Sequence, residues 1–406
     1  MSQTKSKHQG GREWDLSYPL FYGFWIVLNL MMAFRIRELG TGMWDFVSHN
    51  RVGVEILDNG FDLSNLYHNG VAFIMMIFGV ESNYAGAIVV FIMRMAFIAS
   101  IHYFASRLLR DYVQPKWILF TIAVSSLAAS IPNLFGRRIM YYHGHGINVW
   151  HNPTTFTVMP FAILSFFFFC YVLELSDIDK KDRVRAYWKF KLDSYYVGCF
   201  CLALTLFLSV YGKLSWLPPF SMAALIFFFI WWASSKFSVK RLYKCIHIGL
   251  CFIPAALLAF WIRTNSVYNV VEFAFAINPM LRPYPLILNM LFPIFVVALC
   301  YKTIITNRFC QIAWMTYIAA LLQYVFIIQP DRVRSGNTGW GYLYALTLLL
   351  MVSLITFIKY IHEQHPSAKS KRLKWTAPVG LCLASIHLFS GIYYALRIYS
   401  GSSFFF

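Results

Sequence analysis

From Thr155 to Leu173 the chain reads TFTVMPFAILSFFFFCYVL, nineteen residues without a formal charge. As a helix rising 1.5 Å per residue, such a run is about 29 Å long, close to the thickness of a bilayer's hydrocarbon. A soluble core helix of that length would need a polar face, and this stretch has none. Working outward, comparable runs recur near 18–34, 84–106, 117–132, 194–211, 219–235, 245–262, 284–301, 311–328, 340–358 and 376–396. The sequence therefore predicts an all-α, polytopic integral membrane protein with about eleven transmembrane helices in a single transmembrane domain, 1–406. The run from Gly70 to Val80 is apolar but too short to cross and reads as an interfacial or re-entrant piece.

Composition agrees. Hydrophobic residues make up 59% of the chain and charged residues only 13%, too few to cover a soluble globule of this size. The formal charge of +18 would suit nucleic acid, but basic residues flanking membrane helices account for it, and no nucleic-acid partner is read from it. The eight cysteines fall in the spans or at their internal ends, so neither a structural disulfide nor a cysteine metal site is expected. Lys5, Lys7 and Arg12 precede the first apolar run, and no small-residue cleavage site follows it, which predicts an uncleaved signal-anchor.

Charge counting sets the orientation. With the amino terminus inside, internal segments hold 23 of the 35 Lys and Arg, external segments hold 11, and Arg94 lies within a span. Lys180, Lys181, Arg183 and Arg185, then Lys236, Lys240, Arg241 and Lys244, then Lys369, Lys371, Arg372 and Lys374 form the internal clusters. Fifteen of the sixteen lysines are internal, whereas ten of the eleven external cations are arginine. Lysine suffices for topology. Arginine's planar fork binds phosphate or carboxylate at two points, so an Arg-rich external face points to an anionic ligand. Snorkelling arginines at the interface are the plainer explanation.

The external segments 36–83, 133–154, 263–285 and 329–339 concentrate the remaining chemistry. Five of the seventeen acids lie between Glu38 and Asp62. Asp45 and His49 are four apart and share a helix face, where a carboxylate beside an imidazole can act as a general base. Tyr67 and His68 follow in the same loop. In the second segment Arg137 and Arg138 suit a phosphate, Trp150 can stack on a sugar ring, and Asn148, Asn152, His143, His145 and His151 can bond hydroxyls. Those histidines match no strong zinc spacing, so no cofactor is read here and metal stays an alternative. Arg332 and Arg334 precede a turn containing Asn337 and Trp340 that opens a helix, a place that favours anions. Arg263 and Arg282 are more scattered, and Lys213 is the sole external lysine. All these clusters share one side under a topology derived without them.

Asp45-x-x-x-His49 followed by Tyr67-His68, Asn148-Val-Trp-His-Asn-Pro-Thr154, and Arg334-Ser-Gly-Asn-Thr-Gly-Trp-Gly341 resemble three motifs of bacterial capsule or O-antigen repeat-unit polymerases. The chain is similar to these proteins by motif order and topology, and to the C-type glycosyltransferase fold. The resemblance implies glycosyl transfer from a polyprenyl-phosphate- or diphosphate-linked sugar or oligosaccharide at the outer face of the bacterial cytoplasmic membrane. It also implies membrane lipid and other polysaccharide-assembly proteins as partners, and a first-loop acid as catalytic base, which falls on Asp45. The compact paired-acid form of that motif is missing here. A flippase or exporter of lipid-linked glycan should carry charges deep in its spans and matching halves, and an acyltransferase a membrane-buried histidine. Arg94 and His387 are the residues those two readings would rest on.

Overall fold

A computed structural model describes residues 16–39, 44–60, 65–134, 152–187, 190–265, 274–279, 281, 283–328, 339–364 and 371–401. In chain order the helices are α1 Ser17–Glu38, α2 Trp44–Asn59, α3 Leu66–Phe78, α4 Ser82–Leu109, α5 Pro115–Leu127, α6 Pro153–Ser176, the single turn α7 Lys180–Arg183, and α8 Ser194–Gly212. They continue as α9 Leu217–Ser234, α10 Val239–Gly249, α11 Ile253–Asn265, α12 Pro283–Thr306, α13 Arg308–Phe326, α14 Trp340–Gln364 and α15 Lys371–Tyr399. Two small antiparallel pairs complete the set: β1 Val184–Tyr187 with β2 Phe190–Asp193, and β3 Ala274–Phe275 with β4 Ile327–Ile328.

Among the described residues ten helices are long and apolar enough to cross a membrane, with α10 and α11 joined into one crossing. The chain is an all-α polytopic membrane protein. The short run after Tyr67 is α3, thirteen residues long, as its length required. The central helix is α14, whose apolar window is 94% buried by protein, while α1 at 28% turns most of its surface to lipid. Aromatic rings fill the layer between α4, α6 and α13, where Phe104, Phe166, Phe167 and Phe309 meet edge-to-face or tilted.

The expected crossing at 117–132 differs from its sequence reading. As a helix α5 stops at Leu127, thirteen residues in, about 20 Å of rise and short of the hydrocarbon thickness. Irregular backbone inside a membrane needs protein partners for every exposed amide. Here α4, α12 and α15 provide them, with Asn29 of α1 supporting Arg94. Arg94 donates from Nη2 to Ser126 O at 2.9 Å and from Nε to Asn29 Oδ1 at 3.3 Å. His387 Nδ1 bonds Ala129 O at 3.2 Å, and the Ala129 amide returns a bond to His387 O at 3.2 Å. Ser390 Oγ donates to Ser130 O at 2.5 Å, and Asn289 Oδ1 accepts from the Ile131 amide at 3.0 Å. Gly391 lets α15 come this close, since a Cβ there would stand 1.6 Å from Leu127 O. Arg94 and His387 thus hold a broken helix together.

The far end of α6 carries the lysine-rich segments. Asp177 accepts from Lys244 at 2.8 Å and from Arg308 at 2.5 Å, with Arg241 at 3.5 Å. Burial opposes its charge, yet the hydrogen bonds from Lys244 and Arg308 win and hold its pKa below the usual carboxylate value. Arg308 also caps α6 by donating to Leu173 O at 2.8 Å. This knot ties α6, α10 and α13 at the end opposite the candidate site.

Candidate active site

Helix α6 begins the site. Asn152 is its N-cap: the side-chain oxygen accepts from the Thr154 amide at 3.0 Å and from Thr154 Oγ1 at 2.6 Å. Pro153 follows at the first helical position, where its missing N–H costs nothing. The cap leaves the Asn152 amide nitrogen free to reach outward, and it donates to Asp45 Oδ2 at 3.0 Å. Asp45 stands in the first turn of α2. One asparagine therefore starts a transmembrane helix and fixes a carboxylate from the first loop.

A cation lies beside this pair. Lys213, the C-cap of α8, places Nζ 3.4 Å from Thr154 Oγ1 and 4.3 Å from the centroid of the Trp340 ring. Trp340 opens α14, and the next residue must be glycine, because a Cβ on Gly341 would stand 2.5 Å from Ser215 O. That close approach seats the indole over the ammonium. Burial lowers the Lys213 pKa from the usual lysine value to about 8, with Asp45 pulling the other way.

Histidines line the side toward α3. His49 Nδ1 and His68 Nε2 are 2.8 Å apart, and the rings stack with centroids 5.0 Å apart. Burial, then His68 and Lys213, lower the His49 pKa to about 3, against Asp45. His49 is neutral at physiological pH, so one ring nitrogen of the pair donates and the other accepts.

A ring of amides supports these groups. Tyr67, fully buried, donates to Asn50 Oδ1 at 2.7 Å, and Asn50 donates to Asn83 at 2.9 Å, pinning α2 to α3 and α4. Asn65 caps α3 through the Tyr67 amide and donates to Gly212 O at 3.0 Å, next to Lys213. Asn69 donates to Tyr211 OH at 2.5 Å. The pair β3–β4 ties segment 274–275 to 327–328, and Asn278 donates to Tyr324 O at 3.1 Å and to Val325 O at 2.8 Å. The third and fourth external segments thus leave from one place.

Of the residues marked in the sequence, Asp45, Asn152, Lys213 and Trp340 converge, with His49 and His68 alongside. Tyr67 is brought in as a support, its hydroxyl engaged by Asn50. Glu55, Asp58 and Arg51 are exposed along α2, and Glu38 pairs with Arg35 at 2.8 Å. Arg137, Arg138, His143, His145, Asn148, Trp150, His151, Arg332, Arg334 and Asn337 lie outside the described residues, as do Asp62 and Arg282. Sequence reading missed Thr154, Asn65, Asn69 and Tyr211 as supports. The Asn65-x-x-x-Asn69 spacing, an N-cap amide with a second amide one turn on, could have found the two asparagines.

The arrangement offers a carboxylate held by the Asn152 amide, an ammonium poised on an aromatic face, and a hydrogen-bonded histidine pair. Such a set can draw a proton from a hydroxyl and neutralise a departing anion. No family model matches the chain, and no curated protein matches it. Among solved structures, ArnT from Cupriavidus metallidurans in the apo state aligns over 96% of this chain and 76% of its own, at 12% identity and a TM-score of 0.45.

Proposed function

We propose that this chain is a membrane glycosyltransferase of the C-type kind, acting at the outer face of the bacterial cytoplasmic membrane on a polyprenyl-phosphate- or diphosphate-linked sugar. The pathway is capsule or cell-surface polysaccharide assembly, with repeat-unit polymerisation as the step. The observation that carries this reading is the Asp45–Asn152–Thr154–Lys213–Trp340 cluster, built where the arginine-rich external segments leave the helices.

In this reading Asp45 takes the proton of an acceptor hydroxyl as its oxygen attacks the anomeric carbon. The bond from that carbon to the donor's phosphate oxygen breaks, and the phosphate leaves with the electron pair. Lys213, charged below its pKa of about 8, neutralises the leaving group together with Arg332 and Arg334. Trp340, buried with its ring against Lys213, holds the ammonium in place for the leaving group. His49, kept neutral by burial and bonded to His68, positions the first loop instead of competing for the proton. A single displacement by one base predicts inversion at the anomeric carbon, without a covalent glycosyl-enzyme. The flippase reading loses its main support, because the in-span cation Arg94 is engaged by Asn29 and Ser126 at the break in α5.

The test is the surface glycan of a deletion strain complemented in trans. Wild-type complementation restores polymer, and Arg332→Lys or Arg334→Lys does not, because a point charge cannot replace a bidentate fork. Normal polymer from both lysine variants would remove the phosphate role from these arginines. An unchanged glycan in the deletion strain would remove the proposed pathway.

A further inference from the structure

Asp45 and Lys213 reach the cluster from different elements, the first turn of α2 and the end of α8. An asparagine that caps a helix stands behind each. Asn152 caps α6 with its oxygen and holds Asp45 with its nitrogen. Asn65 repeats the device. Its oxygen accepts from the Tyr67 amide at 2.9 Å and starts α3, and its nitrogen donates to Gly212 O at 3.0 Å. A cap needs only an oxygen, which serine, threonine or aspartate would supply. The nitrogen is what asparagine adds, and here it goes to another helix.

Gly212 O is among the last carbonyls of α8, which the helix itself leaves unpaired. It shares a rigid peptide plane with the Lys213 amide. That amide donates to Ser209 O at 3.0 Å, and a Cβ on Gly212 would stand 3.0 Å from Thr157 Oγ1 of α6. The peptide that carries Lys213 is therefore held by its own helix, by α6 and by Asn65. Asn69, one turn on, ties the same two helices through Tyr211 OH. The bonds close a ring. From Asp45 it passes through Asn152, Thr154 and the Lys213 ammonium, then through Gly212 O, Asn65 and Tyr67 to Asn50, which lies on α2 with Asp45.

We infer that Asn65 is a positioning residue for Lys213: its amide nitrogen, acting through Gly212 O, keeps the ammonium beside Asp45, Thr154 and Trp340. What the placement is for rests on the glycosyl-transfer reading of the cluster; the placement itself does not. Capping of α3 alone explains the oxygen of Asn65 but leaves its nitrogen, and the grip on the Lys213 peptide, without a purpose.

The full-length protein, carrying isotope-labelled lysine and purified in detergent, is titrated by NMR, the Lys213 signal being the one that Lys213→Arg removes. Asn65→Ser keeps a cap but is too short to reach Gly212 O. The loosened ammonium gains water, so its pKa rises from about 8 toward the ordinary lysine value, a gain of roughly tenfold in proton affinity. Asn65→Ala removes the cap as well. It unfolds at a lower temperature than Asn65→Ser and moves the Lys213 titration no further. With a lipid-linked donor, turnover by Asn65→Ser falls roughly ten- to a hundredfold, the cost of a misplaced group, and its decline at alkaline pH moves up with the titration. A Lys213 titration in Asn65→Ser equal to the parent's, or one that moves only when the cap is lost, would overturn the inference. Parent-level turnover by Lys213→Met would instead remove the ammonium from the chemistry, and the titration would still decide what holds it.

Discussion

Asp45 and Asn152 are 107 residues apart, and the Asn152 amide nitrogen meets the Asp45 carboxylate at 3.0 Å. The same asparagine caps α6 with its oxygen. A helix start and the orientation of the proposed base are therefore one structural event. Any movement of the α6 N-terminus moves the carboxylate's partner with it.

Substitutions at Asn152 separate the two roles. Asn152→Ser keeps an N-cap but cannot reach Asp45, so stability holds and turnover falls. Asn152→Ala loses both, with a cap loss of about 1 kcal/mol. Thermal unfolding in detergent beside glycan complementation checks this. Equal activity in Asn152→Ser and the parent would detach the amide from the chemistry.

Lys213 predicts a pH limb. Its pKa is lowered to about 8, so the charged form that meets a departing phosphate disappears as pH rises through that value. Transfer should decline above about pH 8, and Lys213→Arg, charged throughout, should move the decline upward. Because the folded pKa is depressed, the unfolded chain binds more protons between about 8 and the ordinary lysine value, and stability rises with pH there. Lys213→Met should accordingly be inactive yet at least as thermostable as the parent. A flat profile in the parent would show that the ammonium takes no part.

The break in α5 sets a stability prediction. Gly391→Ala puts a methyl within 1.6 Å of Leu127 O and should prevent accumulation of folded protein. Ser390→Ala is milder. It strips Ser130 O of a buried donor, at a cost of about 1–3 kcal/mol, and leaves room for α15. Thermal unfolding of both variants gives the ranking, and a Gly391→Ala protein as stable as the parent would contradict the packing described.

Topology is checked by single-cysteine labelling of intact cells in a cysteine-free background. Positions 45, 150 and 334 should label from outside, and positions 181 and 371 only after permeabilisation. Labelling of 181 with protection of 45 would reverse the orientation and place the cluster on the wrong face for a lipid-linked donor.

The spans were legible because charge-free runs of bilayer length have one physical solution, and the 155–173 run became the core of α6. The break after Leu127 was not legible. Its residues, Ala128 to Ile131, carry no charge and continue an uncharged run, and what permits irregular backbone there comes from Arg94, Asn289, His387 and Ser390 on distant helices. In the site, Lys213 was legible as the exception to an all-arginine face. Asp45 was legible from its spacing to His49, but the structure gives His49 to His68 and Asp45 to Asn152. Local spacing marks which residues share a face, whereas the partner is chosen by how the helices assemble.

The central claim is that Asp45 is the base for sugar transfer. The most direct measurement is turnover of a synthetic polyprenyl-diphosphate-linked sugar by purified protein, parent against Asp45→Asn, with donor binding followed in the same preparation. Asparagine keeps the size and a hydrogen bond to Asn152 but cannot accept a proton. The account predicts intact donor binding and loss of turnover by roughly two to four orders of magnitude, the usual worth of a general base. Turnover by Asp45→Asn equal to the parent's would contradict it.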